Sequence, residues 1–101
     1  MYTIIESDLF AQQAKGLWTE DERGVFCAWL AKHPEDGDVI PGAGGCRKVR
    51  WRRAGTGKSG GLRVIYINRL SSGHILLLAI YAKSVRTNIP AHLLKAIVEE
   101  L

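Results

Sequence analysis

Acidic residues are absent from a long central part of this sequence. No Asp or Glu occurs between residues 39 and 98, a stretch of sixty residues that contains eleven Lys or Arg. Residues 1–38, by contrast, hold eight acidic and three basic residues. A basic region without interspersed carboxylates attracts polyanions. The sequence therefore favours a nucleic-acid partner, with an acidic protein as the alternative.

Cysteines and long apolar runs are also scarce. The two cysteines, Cys27 and Cys46, form no CxxC pair and no Cys/His spacing of a zinc site, which excludes an encoded disulfide framework or structural metal. No apolar run reaches the roughly 18 residues of a membrane helix, and the N-terminus lacks the pattern of a secretion signal. We expect a cytoplasmic protein with no metal, no cofactor and no membrane partner.

Hydrophobic patterning predicts one α+β domain over residues 1–101. A short N-terminal strand precedes two helices, the first capped by Ser7 and the second starting at the capping box Thr19–Glu22. The second helix ends at His33, which we expect to interact with its final carbonyls. A turn-rich connector follows at 37–45. After it we predict three further strands, which form an antiparallel sheet, at 47–53, 62–69 and 74–82. A C-terminal helix at 88–101 completes the domain.

The strand at 47–53 has one purely cationic face. Alternation places Lys48, Arg50 and Arg52 on one side. The other side carries Arg47, Val49, Trp51 and Arg53. The acidic residues lie in the first third and the last turn, so we expect no carboxylate pair in a cleft. Cations in such a segment can stabilise charge on a scissile phosphate while the 2′-hydroxyl of an RNA attacks it.

Three ordered blocks resemble the RelE/HigB-type toxins of bacterial toxin–antitoxin modules. They are GDVIPGAGGCRKVR at 37–50, GGLRVIY at 60–66 and LLAIYAK at 77–83. The resemblance spans most of the chain and implies a RelE-like fold. It also implies a ribosome-dependent endoribonuclease, an mRNA interferase, that cuts messenger RNA in the aminoacyl site without a metal and inhibits translation. The implied partners are the ribosome, messenger RNA and a cognate antitoxin.

The resemblance also implies the site residues. Four positions match the family's catalytic cations: Lys48, Arg50, Arg63 and Lys83. Six further residues are predicted to contact RNA: Arg47, Arg52, Lys58, Tyr66, Tyr81 and Arg86. Core packing is the more common role of a tyrosine in a sheet, and it is the alternative that we weigh against base stacking for Tyr66 and Tyr81. The general acid is open between Arg86 and His92, because no arginine directly follows Lys83 and no tyrosine follows Tyr81.

Two other functions fit the same resemblance. A ParE-like toxin would inhibit DNA gyrase without phosphate chemistry, and a degenerate member would only bind its antitoxin. The presence of Lys48, Arg63 and Lys83 favours the ribonuclease.

Overall fold

The computed structural model describes residues 2–52, 61–84 and 89–101. Its three helices and five strands confirm the α+β prediction. The elements follow one another as β1 (Thr3–Glu6), α1 (Asp8–Ala14), α2 (Glu20–Lys32), β2 (Asp38–Val39), β3 (Arg47–Arg52), β4 (Gly61–Arg69), a 3-10 turn (Leu70–Ser72), β5 (His74–Ala82) and α3 (Ala91–Glu99).

Both predicted caps of the first two helices are formed. The Ser7 hydroxyl accepts a hydrogen bond from the Phe10 amide at 3.0 Å. Thr19 and Glu22 form the reciprocal capping box, with bonds of 2.9 and 3.1 Å between side chain and backbone. The ring of His33 lies 2.9 Å from the Trp29 carbonyl, as expected for a histidine at a helix end. These local bonds satisfy helix-terminal groups that would otherwise need water.

The sheet is mixed, with the strand order β1-β5-β4-β3-β2. The antiparallel meander of β3, β4 and β5 is confirmed, but two features correct the prediction. The N-terminal strand β1 pairs with β5 in parallel, and the segment predicted as a connector adds the two-residue strand β2 on the outside of β3. A strand this short offers no alternating pattern in the sequence, since two residues cannot establish a period.

Helices cover both faces of the sheet. On the first, the α1/α2 face, Phe10, Phe26 and Leu30 pack against the strands. On the second, the α3 face, Leu94 packs against Ile65 and Leu78. The C-terminal helix buries only part of its predicted apolar stripe, because Leu93 and Leu101 are exposed. Of its predicted start, Ile89 and Pro90 precede the helix, whereas Asn88 lies outside the described residues.

Candidate RNA-cleavage site

The cations of β3 and β4, with the exception of Arg47, share the α3 face of the sheet. Lys48 is directly opposite Ile65, a member of the α3-face cluster, and Arg50 is directly opposite Arg63. Residues that face each other across an antiparallel pair project to the same side. Lys48, Arg50 and Arg63 therefore project together on the side of the sheet that α3 covers only in part.

A β-bulge brings the end of β5 to the same site. Ile65 pairs with Ala79 and Tyr66 pairs with Leu77, so Leu78 is an additional residue without a counterpart in the register. With this residue inserted, Tyr81 rather than Ile80 lies opposite Arg63. The amide of Lys83 then donates to the Gly61 carbonyl at 3.1 Å, which fixes the backbone of Lys83 beside the start of β4. Bulges change which side chains a strand presents, as this one does.

Four of these cations line one small cavity. Its volume is about 100 Å³, and it is formed by Arg50, Trp51, Arg52, Gly61, Arg63 and Lys83. None of these residues is acidic, so an anion of the size of a phosphate group would neutralise a local excess of positive charge. A methyl group at Gly61 would approach the Arg63 guanidinium to 3.1 Å, so the absence of a side chain there gives Arg63 its space.

A second cavity adjoins the first. It has a volume of about 370 Å³ and shares Arg50 and Arg63 with the smaller one. Its other lining residues are Trp29, Asp36, Asp38, Lys48 and Val49. We call the surface formed by Lys48, Arg50, Arg52, Arg63 and Lys83 the cationic groove.

Two carboxylates in the second cavity correct a prediction. We expected no pair of acids in a cleft, yet Asp36 and Asp38 both line this one. The reason is the course of the chain after α2, which leads into β2 and so places both acids beside the edge of β3. Sequence position alone assigned these residues to the helical third of the chain.

Three hydrogen-bonding side chains fix that loop. The Tyr66 hydroxyl donates to the Pro34 carbonyl and accepts from the Gly37 amide, both at 2.9 Å. Asn68 donates to the same Pro34 carbonyl at 2.8 Å. The Arg47 guanidinium donates to the carbonyls of Glu35 and Gly37 at 3.0 and 2.8 Å.

These contacts correct the RNA-binding predictions for Arg47 and Tyr66. Arg47 projects to the α1/α2 face, away from the cationic groove, and its guanidinium already binds the loop. Tyr66 has no exposed surface, and burial raises the pKa of its phenol. The Tyr66 ring therefore offers no surface to a base, and the Arg47 guanidinium anchors the loop.

The other predicted residues differ in where they lie. Lys48, Arg50, Arg52, Arg63 and Lys83 come together in the cationic groove. Tyr81 lies opposite Arg63 but is only 6% exposed, which corrects its prediction as a stacking platform. Lys58 and Arg86 lie outside the described residues, and His92 is exposed in the first turn of α3.

The described part of the chain contains no group of three His, Cys, Asp or Glu side chains that could hold a metal ion. Within the same residues, no helix has the length and apolar character needed to cross a membrane.

The fold belongs to the class found in toxins of toxin–antitoxin modules, and specifically it is RelE-like. No protein-family model matches the sequence. The structure is similar to the intact E. coli RelBE toxin–antitoxin complex, with a TM-score of 0.61 over 79% of this chain and 94% of that chain. It is similar to the isolated E. coli RelE toxin at 0.60 over the whole of both chains. A mutant of E. coli RelE in the free state gives 0.58 over 99% and 98%. Sequence identity is 12% in each case, so the likeness is one of fold.

Proposed function

We propose that this protein is a ribosome-dependent messenger RNA endoribonuclease, the toxin of a toxin–antitoxin module. The observation that carries the proposal is the small cavity in which Arg50, Arg52, Arg63 and Lys83 converge. Cleavage of RNA by its own 2′-hydroxyl needs a positioned phosphate and stabilisation of the charge that develops on it. Fixed cations on a rigid sheet can supply both.

The reaction assigned to the groove is an internal displacement. The 2′-hydroxyl gives up its proton and its oxygen forms a bond to phosphorus, while the bond from phosphorus to the 5′-oxygen breaks and that oxygen takes up a proton. The products are a 2′,3′-cyclic phosphate and a 5′-hydroxyl. Arg63 binds the scissile phosphate through two parallel N–H groups, a geometry that guanidinium favours. Lys48 or Arg50 stabilises the ionised 2′-oxygen, and Lys83 offsets charge near the leaving oxygen.

The partners proposed for this chain follow the same assignment. They are the ribosome, the messenger RNA in its aminoacyl site, and an antitoxin encoded with the toxin. The similarity to RelE in its complex with RelB supports an antitoxin partner. The acid-free stretch between residues 39 and 98 supports an RNA substrate.

A bacterial translation extract provides the test. The protein is added, and the ends of the messenger RNA are mapped for the wild type and for Arg63→Ala and Lys83→Ala. We expect cuts within translated codons that both variants lose. Cuts that persist unchanged in both variants would contradict the proposed site. If no cuts appear and DNA gyrase stops supercoiling its substrate, a ParE-like gyrase inhibitor replaces the proposal.

A further inference from the structure

A third and larger cavity adjoins the cationic groove at the end away from Lys83. It has a volume of about 600 Å³ and lies between β2 with its following turn and the start of α3. Most of its lining is apolar, including Ile40, Pro41, Ile89 and Pro90. Among its lining residues, Lys48 alone has a role in the reaction assigned to the groove.

The apolar wall is held in place by close packing between the turn and α3. Gly42 and Gly44 both have positive φ, at +73° and +71°, a conformation that favours glycine. A Cβ at Gly42 would lie 4.0 Å from that of Ala91, and one at Gly44 would lie 3.5 Å from Lys95. Ala43 between them is fully buried. These contacts hold the turn against α3 and thereby position the apolar wall.

Two opposite charges line this cavity side by side. Asp38 and Lys48 are direct partners in the β2–β3 pair, so both side chains project on the α3 face. The one ion pair among the described residues joins Glu6 and Arg23, so Asp38 and Lys48 are not bound to each other. The site thus presents a hydrogen-bond acceptor beside a donor, next to an apolar wall.

The same two residues connect this cavity to the groove. Asp38 and Lys48 line both the 600 Å³ cavity and the 370 Å³ cavity, which in turn shares Arg50 and Arg63 with the smallest one. A strand of RNA with a phosphate at Arg63 can therefore place a neighbouring base against Asp38. Single-stranded bases are recognised in this way, by an apolar surface and by hydrogen bonds to the Watson–Crick edge.

We propose that this cavity is a nucleobase subsite in which Asp38 and Lys48 select guanine, an inference that rests on the proposed ribonuclease function. A carboxylate only accepts hydrogen bonds, and an ammonium only donates them. Guanine presents two adjacent donors, at N1 and N2, beside the acceptor O6, which matches Asp38 and Lys48 together. Uracil presents one donor between two carbonyl oxygens, so it sets an acceptor against Asp38.

The test compares base preferences at mapped cuts for the wild type and Asp38→Asn. Asparagine keeps the shape of the side chain but replaces one of its two acceptor oxygens with a donor, so it can no longer accept from both N1 and N2 of guanine. Asp38 is exposed, so the substitution disturbs no buried packing. We expect guanine to be enriched at one fixed position relative to the cut in the wild type. The variant should lose at least about fivefold of that preference. Asp21→Asn, which changes an exposed acid in the first turn of α2, should keep the wild-type pattern.

Two results would overturn the subsite while leaving the ribonuclease intact. One is a wild type that cuts without guanine enrichment, and the other is an Asp38→Asn variant that cuts with the wild-type base distribution. If the wild type makes no cuts at all, the proposed function fails, and binding then decides the subsite. For that measurement, fluorescence anisotropy compares a labelled uridine heptamer with the same heptamer carrying one central guanosine. Equal affinities for the wild type would overturn the subsite, whereas a preference that Asp38→Asn removes would support it.

Discussion

The two faces of the sheet differ in how completely helices cover them. On the α1/α2 face, a chain of aromatic rings fills the space, with Phe26 in contact with Trp18, Trp29 and Trp51 at centroid distances of 5.3, 6.2 and 5.0 Å. On the α3 face, a single nine-residue helix packs on one part of the sheet. The part that α3 leaves open carries the cationic groove. Incomplete cover thus places charged side chains on rigid strands beside a packed core.

Two arginines of β3 show the same difference between the two faces of the sheet. Arg47 and Arg50 have the same side chain and lie three residues apart, so they project to opposite faces. Arg47 binds two carbonyls of the α2–β2 loop, whereas Arg50 lines the two cavities of the groove. The charge of these two arginines is the same, so it does not predict which of them lines the groove and which anchors the loop. The face of the strand does.

The largest expected effect is a loss of cleavage on substitution of one of the two arginines of β4. Arg63 and Arg69 project to the same face, but only Arg63 lines the groove. Arg63→Ala should lower the rate of messenger cleavage by about 100- to 1000-fold, because it removes fixed donors from the charge that develops on the phosphate. Single-turnover cleavage in the translation extract measures this loss.

Arg69→Ala is the matched control for that change. It removes the same side chain from an exposed position at the far end of the same strand, so cleavage should stay close to the wild type. Urea unfolding should show both variants within about 0.5 kcal/mol of the wild type. Equal losses of cleavage in the two variants would mean that overall charge, and not the groove, determines activity.

The next effect is a loss of stability on the α1/α2 face, where Tyr66 anchors the α2–β2 loop. Tyr66→Phe removes a buried hydroxyl that makes two hydrogen bonds, to Pro34 and from Gly37. The free energy of unfolding should fall by about 1–3 kcal/mol, because the Gly37 amide is left buried without its partner. Tyr2→Phe alters a tyrosine that is only partly buried and should change stability by less than about 0.5 kcal/mol. A Tyr66→Phe variant as stable as the wild type would show that Arg47 and Asn68 hold the loop without it.

Much of the fold could be predicted because its signals are local. The Ser7 cap, the Thr19–Glu22 box and the alternation of Lys48, Arg50 and Arg52 are all set by residues within a few positions of one another. Apolar patterning on both sides of β5 likewise predicted a strand covered on two faces, as β5 is. Local periodicity therefore identified strand β3 and the cationic face on it.

The rest depends on contacts between distant residues. The bulge at Leu78 decides that Tyr81 lies opposite Arg63, yet no residue type marks a bulge in an apolar run. Asp38 reaches Lys48 only because β2 pairs with β3, ten residues further along the chain. Burial of Tyr66 follows from the return of the α2–β2 loop over its hydroxyl. These long-range pairings fixed the features that the sequence pattern missed.

A smaller effect appears at alkaline pH. Burial raises the pKa of Tyr66 above the ordinary phenol value of about 10, so the folded state holds its proton more tightly than the unfolded state. The stabilisation is complete below about pH 10 and is lost as the pH rises through the higher folded value. The difference in unfolding free energy between the wild type and Tyr66→Phe should therefore be smaller at pH 11 than at pH 9. A gap that widens with pH would mean that the phenol ionises more easily in the fold.

The smallest effect belongs to the rim of the α1/α2 face, where Arg23 of α2 contacts Glu6 of β1 at 2.5 Å. The hydrogen bond from Arg23 to Glu6 raises the pKa of the guanidinium. The two side chains are 33% and 21% exposed, so water and salt screen the pair, and a double-mutant cycle of Arg23→Ala and Glu6→Ala should give a coupling below about 1 kcal/mol. Cleavage should be unchanged in all three variants, because neither residue lines the groove. A loss of cleavage without a matching loss of stability would break the comparison between the faces, since it would place a functional residue on the covered side.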